Sequence, residues 1–223
     1  MTAALATLRL LQLASPAMPV GAYNFSQGLE YAGERGWVGD EQRTGDWILG
    51  LARESLGTLD LPILLRLHAA WTADDMAAVS QWNQRLLASR ETAELRAEER
   101  HMGQALAKVL LALRREAAGR WLQQDACYAT LFALAAVAGH ISAVHCCQAY
   151  LWAWSENQVL ASLKILPLGQ TAGQRILDRL LVEIPALCDH AAGLDDEGIG
   201  VSTPRQSMAS AWHETQYSRL FRS

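Results

Sequence analysis

Apolar residues recur along this chain at intervals of three and four, and almost nowhere at intervals of two. Leu5, Leu8 and Leu11 (or Gln12) keep helical spacing. So do Trp47, Ile48, Leu51 and Ser55, then Trp82 and Leu86, then Leu106, Val109, Leu110 and Leu113. No alternating Val/Ile/Thr run and no Asn-Gly hairpin signal interrupts them. A chain without strand patterning must bury its apolar stripes helix against helix. The expected fold is therefore all-α, an orthogonal bundle of roughly eight to ten helices joined by short connections.

Punctuation residues give the ends. Asp60 with Pro62 predicts a helix start, as does Asn24 with Gln27, a capping-box-like pair. Gly36 closes the pattern Ser26 to Arg35. Thr203, Pro204 and Gln206 supply an N-cap, a proline at the first helical position and an amide at the third. Pro167-Leu168-Gly169 ends the pattern near Lys164. Ser15 to Ala22, with two prolines and a glycine, predicts a rigid extended connection. Gly193 to Pro204 is polar and glycine-rich and reads as a linker. The organisation expected is a helical bundle over residues 1–193, then a linker and a mobile C-terminal tail over 194–223.

A length of 223 residues suits one core, and 51% apolar with 19% charged residues is the composition of an ordinary globule. Net charge is −4 with no basic stripe, which argues against nucleic acid as a partner. Arg90 to Arg120 mixes both signs and reads as a solvated helix face, with Arg96 and Glu99 spaced to pair. The N-terminus lacks a basic leader, and Arg9 and Gln12 interrupt its apolar run, so it reads as an amphipathic helix of the mature chain. No apolar run reaches membrane-spanning length; Ala126 to Ala138 fits a buried helix. Cys127, Cys146, Cys147 and Cys188 form no disulfide framework and fit reduced thiols in the cytoplasm.

Catalytic signatures are missing. Gly169 to Gln174 has glycines but no Lys-Ser/Thr to reach a phosphate, and there is no GxSxG elbow. His213-Glu214-Thr215-Gln216-Tyr217 stops short of the zinc motif HExxH at its last residue. His140, His145, Cys146 and Cys147 are the one group with metal potential. His140 and Cys147 are seven residues apart and would share a face of one helix, whereas Cys146 and Cys147 diverge by about 100° around it. Glu94, Glu98 and Glu99 lie among arginines on a face expected to be exposed. Trp152 and Trp154 cannot share a helix face, which leaves one to be exposed. These features describe an interaction protein and not an enzyme.

Four stretches then resemble one family in order. Leu13 to Glu30 (LASPAMPVGAYNFSQGLE), Arg90 to Arg96 (RETAELR), Trp154 to Asn157 with Lys164 and Pro167 to Gln174, and His213 to Ser223 (HETQYSRLFRS) are similar to the blocks of the urease accessory protein UreF family. The chain departs from that pattern at Ala22, where a second glycine is usual, and at Asn24, where serine is usual. The resemblance implies an all-helical, non-enzymatic scaffold without a cofactor that forms a homodimer in its complex. It would bind UreD (UreH in some species), recruit the GTPase UreG to urease apoprotein, and gate GTP-dependent nickel insertion.

The residues of those blocks that carry charge or aromatic surface are the expected partner-binding set: Glu30, Glu94, Lys164, His213, Glu214, Tyr217, Ser218, Arg219, Leu220, Phe221 and Arg222. Arg219 and Arg222 flank Leu220 and Phe221, so such a tail can dock an aromatic and a leucine in a partner's groove while its arginines meet carboxylates. The bland alternatives are a tail folded on its own bundle, and structural ion pairs at Glu30, Glu94 and Lys164. The functional alternative is a helical carrier that holds nickel itself through His140, His145 and Cys147.

Overall fold

The computed structural model describes residues 3–223; Met1 and Thr2, the start of the expected first helix, lie outside them. In chain order the α-helices are α1 (Ala3–Ala14), α2 (Leu29–Glu34), α3 (Glu41–Leu51), α4 (Leu61–Thr72), α5 (Met76–Ala88), α6 (Ala93–Ala112), α7 (Tyr128–Ala138), α8 (Ala143–Ile165), α9 (Gln170–Gly193) and α10 (Pro204–His213). Two 3-10 segments, Ala22–Asn24 and Glu116–Gln123, and a π-helical segment, Ala52–Asp60, complete the set, and no strand occurs among the described residues. The all-α bundle read from apolar spacing is the observed fold.

Side-chain caps begin four of these helices. Asp40 accepts from Arg43 N at 2.8 Å, Asp75 from Ala78 N at 3.0 Å, Thr92 from Leu95 N at 3.2 Å and Ser142 from His145 N at 3.3 Å, each satisfying an amide that the first turn leaves free. At Gly36 the backbone turns left-handed, φ +68°, just after α2, as its position in the sequence requires.

Asp60 caps nothing. α3, a π-helical segment Ala52–Asp60 and α4 run on as one rod, with Asp60 itself in helical conformation and its carboxylate turned inward. Pro62 has no N–H for the Thr58 carbonyl, and a widened π segment is one way a helix absorbs that loss. The Thr58 carbonyl instead accepts from Gly200 N at 2.9 Å, which ties the α9–α10 loop to the rod. Asn24 and Gln27 start no helix either. Asn24 closes a 3-10 turn, and α2 begins after Gly28. The Ser15–Ala22 connection is a chain of tight turns, with Met18 N bonded to Ser15 O and Val20 N to Met18 O, and is not extended.

α7 is buried on nearly every side, because it is packed by α4, α6 and α8. Its approach to α6 depends on Gly103: an added Cβ would stand 1.9 Å from Ala126 O. α1 reverses the expectation for its leucines. Leu5, Leu8 and Leu11 face outward, and Leu13 enters the core. Trp152 and Trp154 are both half-buried, so neither is the exposed aromatic their spacing suggested. No helix among the described residues is long and apolar enough to cross a membrane.

The glycine-rich loop after α9 is tied down. Arg66 holds Asp196 at 2.6 Å and Leu194 O at 2.7 Å; Arg85 donates to Asp196 O at 2.7 Å. The segment beyond it, expected as a mobile tail, lies against α2, α6 and α8. Phe221 completes a small apolar cluster with Leu29, Ala32, Val38, Ala161 and Leu166. Burying an aromatic ring of that size stabilises the docked segment by roughly 2–3 kcal/mol.

Candidate functional site: a buried acid cluster under the C-terminal segment

α2 and α6 each bring carboxylates to the face that α10 covers. Glu94 and Glu98 are four residues apart and share one face of α6, and Glu30 sits in the first turn of α2. α10 can approach because Gly28 has φ +83° and a Cβ there would lie 2.9 Å from Ser210 N. Thr92 and Ser210 hydroxyls join the two elements at 2.8 Å.

His213, at the end of α10 and 0% exposed, stands between two of these acids. Its Nδ1 is 2.8 Å from Glu94 Oε2 and its Nε2 is 3.2 Å from Glu30 Oε2. Glu94 also accepts from Arg219 Nη1 at 2.9 Å. Glu30 accepts the backbone amides of Leu220 and Phe221 at 2.7 and 2.9 Å. The tail's main chain is thus bonded to the bundle by a side chain from α2.

Ser223 is the next anchor. Its carbonyl oxygen accepts from Ser26 N at 2.8 Å and Ser26 Oγ at 2.5 Å, and its hydroxyl donates to Glu98 Oε2 at 3.0 Å. Gln27 Nε2 donates to the other Glu98 oxygen at 2.8 Å, while its carbonyl oxygen accepts from Trp154 Nε1 at 2.8 Å. No cation among the described residues is in contact with Glu98. Burial pushes its carboxyl up to about 7, with the Gln27 hydrogen bond pulling the other way and the neighbouring Glu99 adding to the rise.

Behind this lies a second network. Arg90 is gripped by Asp60 and by Glu99, with Nη1 3.1 Å from Asp60 Oδ2 and Nε 3.0 Å from Glu99 Oε1. Glu99 Oε2 accepts from Tyr128 N at 2.9 Å at the start of α7. Burial alone would lower Arg90, but Asp60 and Glu99 outweigh it and hold the guanidinium well above its ordinary value. Burial, reinforced by Asp60, pushes the Tyr150 phenol up. The network floors a cavity of about 100 Å³ whose walls include Leu13, Met18, Leu56 and Met102.

Several expectations are corrected here. Glu94, Glu98 and Glu99 are 9%, 7% and 6% exposed and do not lie on a solvated face, because α10 and the tail cover one side of α6 and Arg90 seals the other. Arg96 does not pair with Glu99; it donates to Arg90 O at 2.5 Å. His140 is not on a helix with Cys147. Gly139 and His140 close α7, His140 with φ +54°, and α8 starts only after Ser142. His145 Nδ1 turns to Ser142 Oγ at 3.1 Å, and Cys147 is buried against Cys188. Among the described residues no group of three His, Cys, Asp or Glu is placed to hold a metal ion. The Cys127 and Cys146 thiols are pushed up by burial, the opposite of what a thiolate nucleophile needs.

Of the expected partner-binding residues, Glu30, Glu94, His213, Arg219, Leu220 and Phe221 meet in one place. Lys164 joins them through the Phe221 ring, 5.7 Å from its Nζ. Glu214 stands apart, accepting from Ala93 N at the start of α6 at 2.9 Å, where the helix dipole favours a carboxylate. Tyr217, Ser218 and Arg222 are exposed. Asp60, Arg90, Glu98 and Ser223 complete the cluster, and sequence reading missed them as a group. The one available signal was the spacing of Glu94 and Glu98, which puts two acids on a single helix face.

A family model described as UreF matches residues 38–181. A urease accessory protein UreF of Teredinibacter turnerae is 48% identical over 216 residues, covering 97% of this chain and 98% of that protein. Its namesakes in Alkalilimnicola ehrlichii and Hahella chejuensis are 49% identical over 220 residues and 46% over 219, again over nearly the full length of both chains.

Proposed function

Since this chain belongs to the UreF family of urease accessory proteins, we propose that it serves urease maturation as a non-catalytic cytoplasmic scaffold whose docked C-terminal segment is a partner surface. On this reading it binds UreD (or UreH), acts as a homodimer in that complex, recruits the GTPase UreG to urease apoprotein, and gates GTP-dependent nickel insertion. Nickel is cargo in this scheme, not a resident cofactor.

One observation carries the surface assignment. The segment's inner groups are buried, while Met208, Trp212, Tyr217 and Leu220 point outward, Tyr217 with no cover at all. Trp and Tyr anchors of this kind dominate binding energy where a partner desolvates them. Glu30, Glu94 and His213 then act by holding the segment in the presented shape, and Leu220, Tyr217 and Arg222 meet the partner. Preformed, the surface avoids the ordering cost that a loose tail would incur on binding.

The test is co-purification with UreD and UreG of the full chain, of Leu220→Asp, and of a form ending at Pro204. The full chain forms the complex, and Leu220→Asp, which leaves the inner anchors intact, loses it. Binding by Leu220→Asp at full strength moves the interface elsewhere, and failure of the full chain to bind either partner overturns the scaffold reading.

A further inference from the structure

The docked segment closes over two buried acid–base groups, His213 and Glu98. Both ring nitrogens of His213 face carboxylate oxygens, Glu94 at 2.8 Å and Glu30 at 3.2 Å. An ionised carboxylate only accepts, so both nitrogens must donate; otherwise one of the two acids must itself carry the proton.

Glu98 is the second such group. It is buried, has no cation in contact among the described residues, and takes a hydrogen bond from Ser223 at the far end of the same segment. Its carboxyl sits at about 7 while the segment is closed; lifting Ser223 away lets water reach it, and an ordinary carboxyl ionises far lower. The segment also carries or faces charges beyond Glu30 and Glu94. They are Glu214, Arg219 and Arg222 on the segment itself, Arg90 and Glu99 behind Glu98, Asp60 beyond them, and Lys164 over the Phe221 ring. Titratable rings nearby are His101, edge-on to Phe25 at 6.0 Å, Tyr31 against Trp212 at 5.5 Å, and Tyr23, whose centroid is 5.8 Å from Lys164 Nζ.

We propose that residues 213–223 form a pH-sensitive latch on α2 and α6, shut below neutrality and loosening as pH rises. The sign follows from proton counting: the closed state binds more protons than the open one, so removing protons favours opening. This goes beyond the docking reading. It concerns the lone chain and is measured without any partner, so it stands or falls separately from complex formation.

The test is amide hydrogen exchange on the full chain between about pH 6 and about pH 8, each rate divided by its intrinsic rate, comparing residues 214–223 with α7. Glu98 alone predicts that the opening constant of the segment rises roughly tenfold over that range while α7 stays protected. Glu98→Gln has no titrating proton; its amide oxygen still accepts from Gln27, its N–H donates to Ser223 Oγ with that bond reversed, and it loses that tenfold share. His213→Gln, which loosens the tie from α10 to Glu94 and Glu30, raises opening across the whole range. Protection in 214–223 that is flat with pH, or that falls only in step with α7, overturns the latch; so does a Glu98→Gln chain with the full slope of the unaltered protein. If either variant fails to fold, the unaltered chain's segment-against-α7 comparison still decides.

Discussion

At the scale of single residues, the arrangement turns on one arginine. Arg90 alone neutralises Asp60 and Glu99, and all three side chains are nearly closed to solvent. Removing it leaves two carboxylates buried without a cation. Arg90→Met should cost about 3–5 kcal/mol in urea unfolding, far more than loss of an exposed pair such as Arg53 with Glu183. Gly103→Ala is the steric counterpart. Its methyl collides with the backbone at Ala126, which cannot swing aside, so a loss of about 3 kcal/mol is expected in the same measurement. Neither residue was legible as special in the sequence. A charge on a helix reads the same whether water or another element covers it, so Glu98 and Glu99 looked solvated. Only partners far along the chain, Ser223 125 residues away and Gln27 71 residues away, mark Glu98 as buried. Glycine 103 likewise shows no turn signal, because what it permits is a close approach between elements.

Elements were more legible than residues, and for a physical reason. Caps and breakers act within a turn, so Thr203 with Pro204, Gly36, and Pro167 to Gly169 mark true boundaries. Asp60 misled because its local pattern, acid before proline, is also what a continuous helix can carry when the acid is drawn inward by Arg90. The leucines of α1 misled in the same way: spacing names a stripe, not the direction it faces. The C-terminal segment is the case with most consequence. Its sequence has too little apolar surface to fold alone, yet the cluster that receives Phe221 and the acceptors of Glu30 complete it from outside. Phe221→Ala should therefore free the segment, and trypsin should cut after Arg219 many-fold faster. Leu220→Ala, exposed, should shift unfolding by no more than about 0.5 kcal/mol and leave that cleavage rate unchanged.

For the whole molecule, the raised Glu98 carboxyl makes stability depend on pH in the direction opposite to ordinary acid unfolding. Its folded value of about 7 lies above the ordinary 4.5, so the folded chain binds a proton that the unfolded chain has released. The contribution is complete below about pH 4.5 and is lost as pH rises through about 7, a change on the order of 3 kcal/mol if the group stays buried throughout. It need not stay buried, since the segment above it can lift while the bundle of α4, α6, α7 and α8 persists. Once the latch opens, Glu98 ionises freely and further rise in pH costs the bundle nothing. Global unfolding in urea should then lose less than the full amount between about pH 5 and about pH 8, with the missing part appearing as exchange in residues 214–223. Glu98→Gln should flatten both. A chain that loses the whole amount in global unfolding, with no separate opening of the segment, would show that bundle and segment form one cooperative unit.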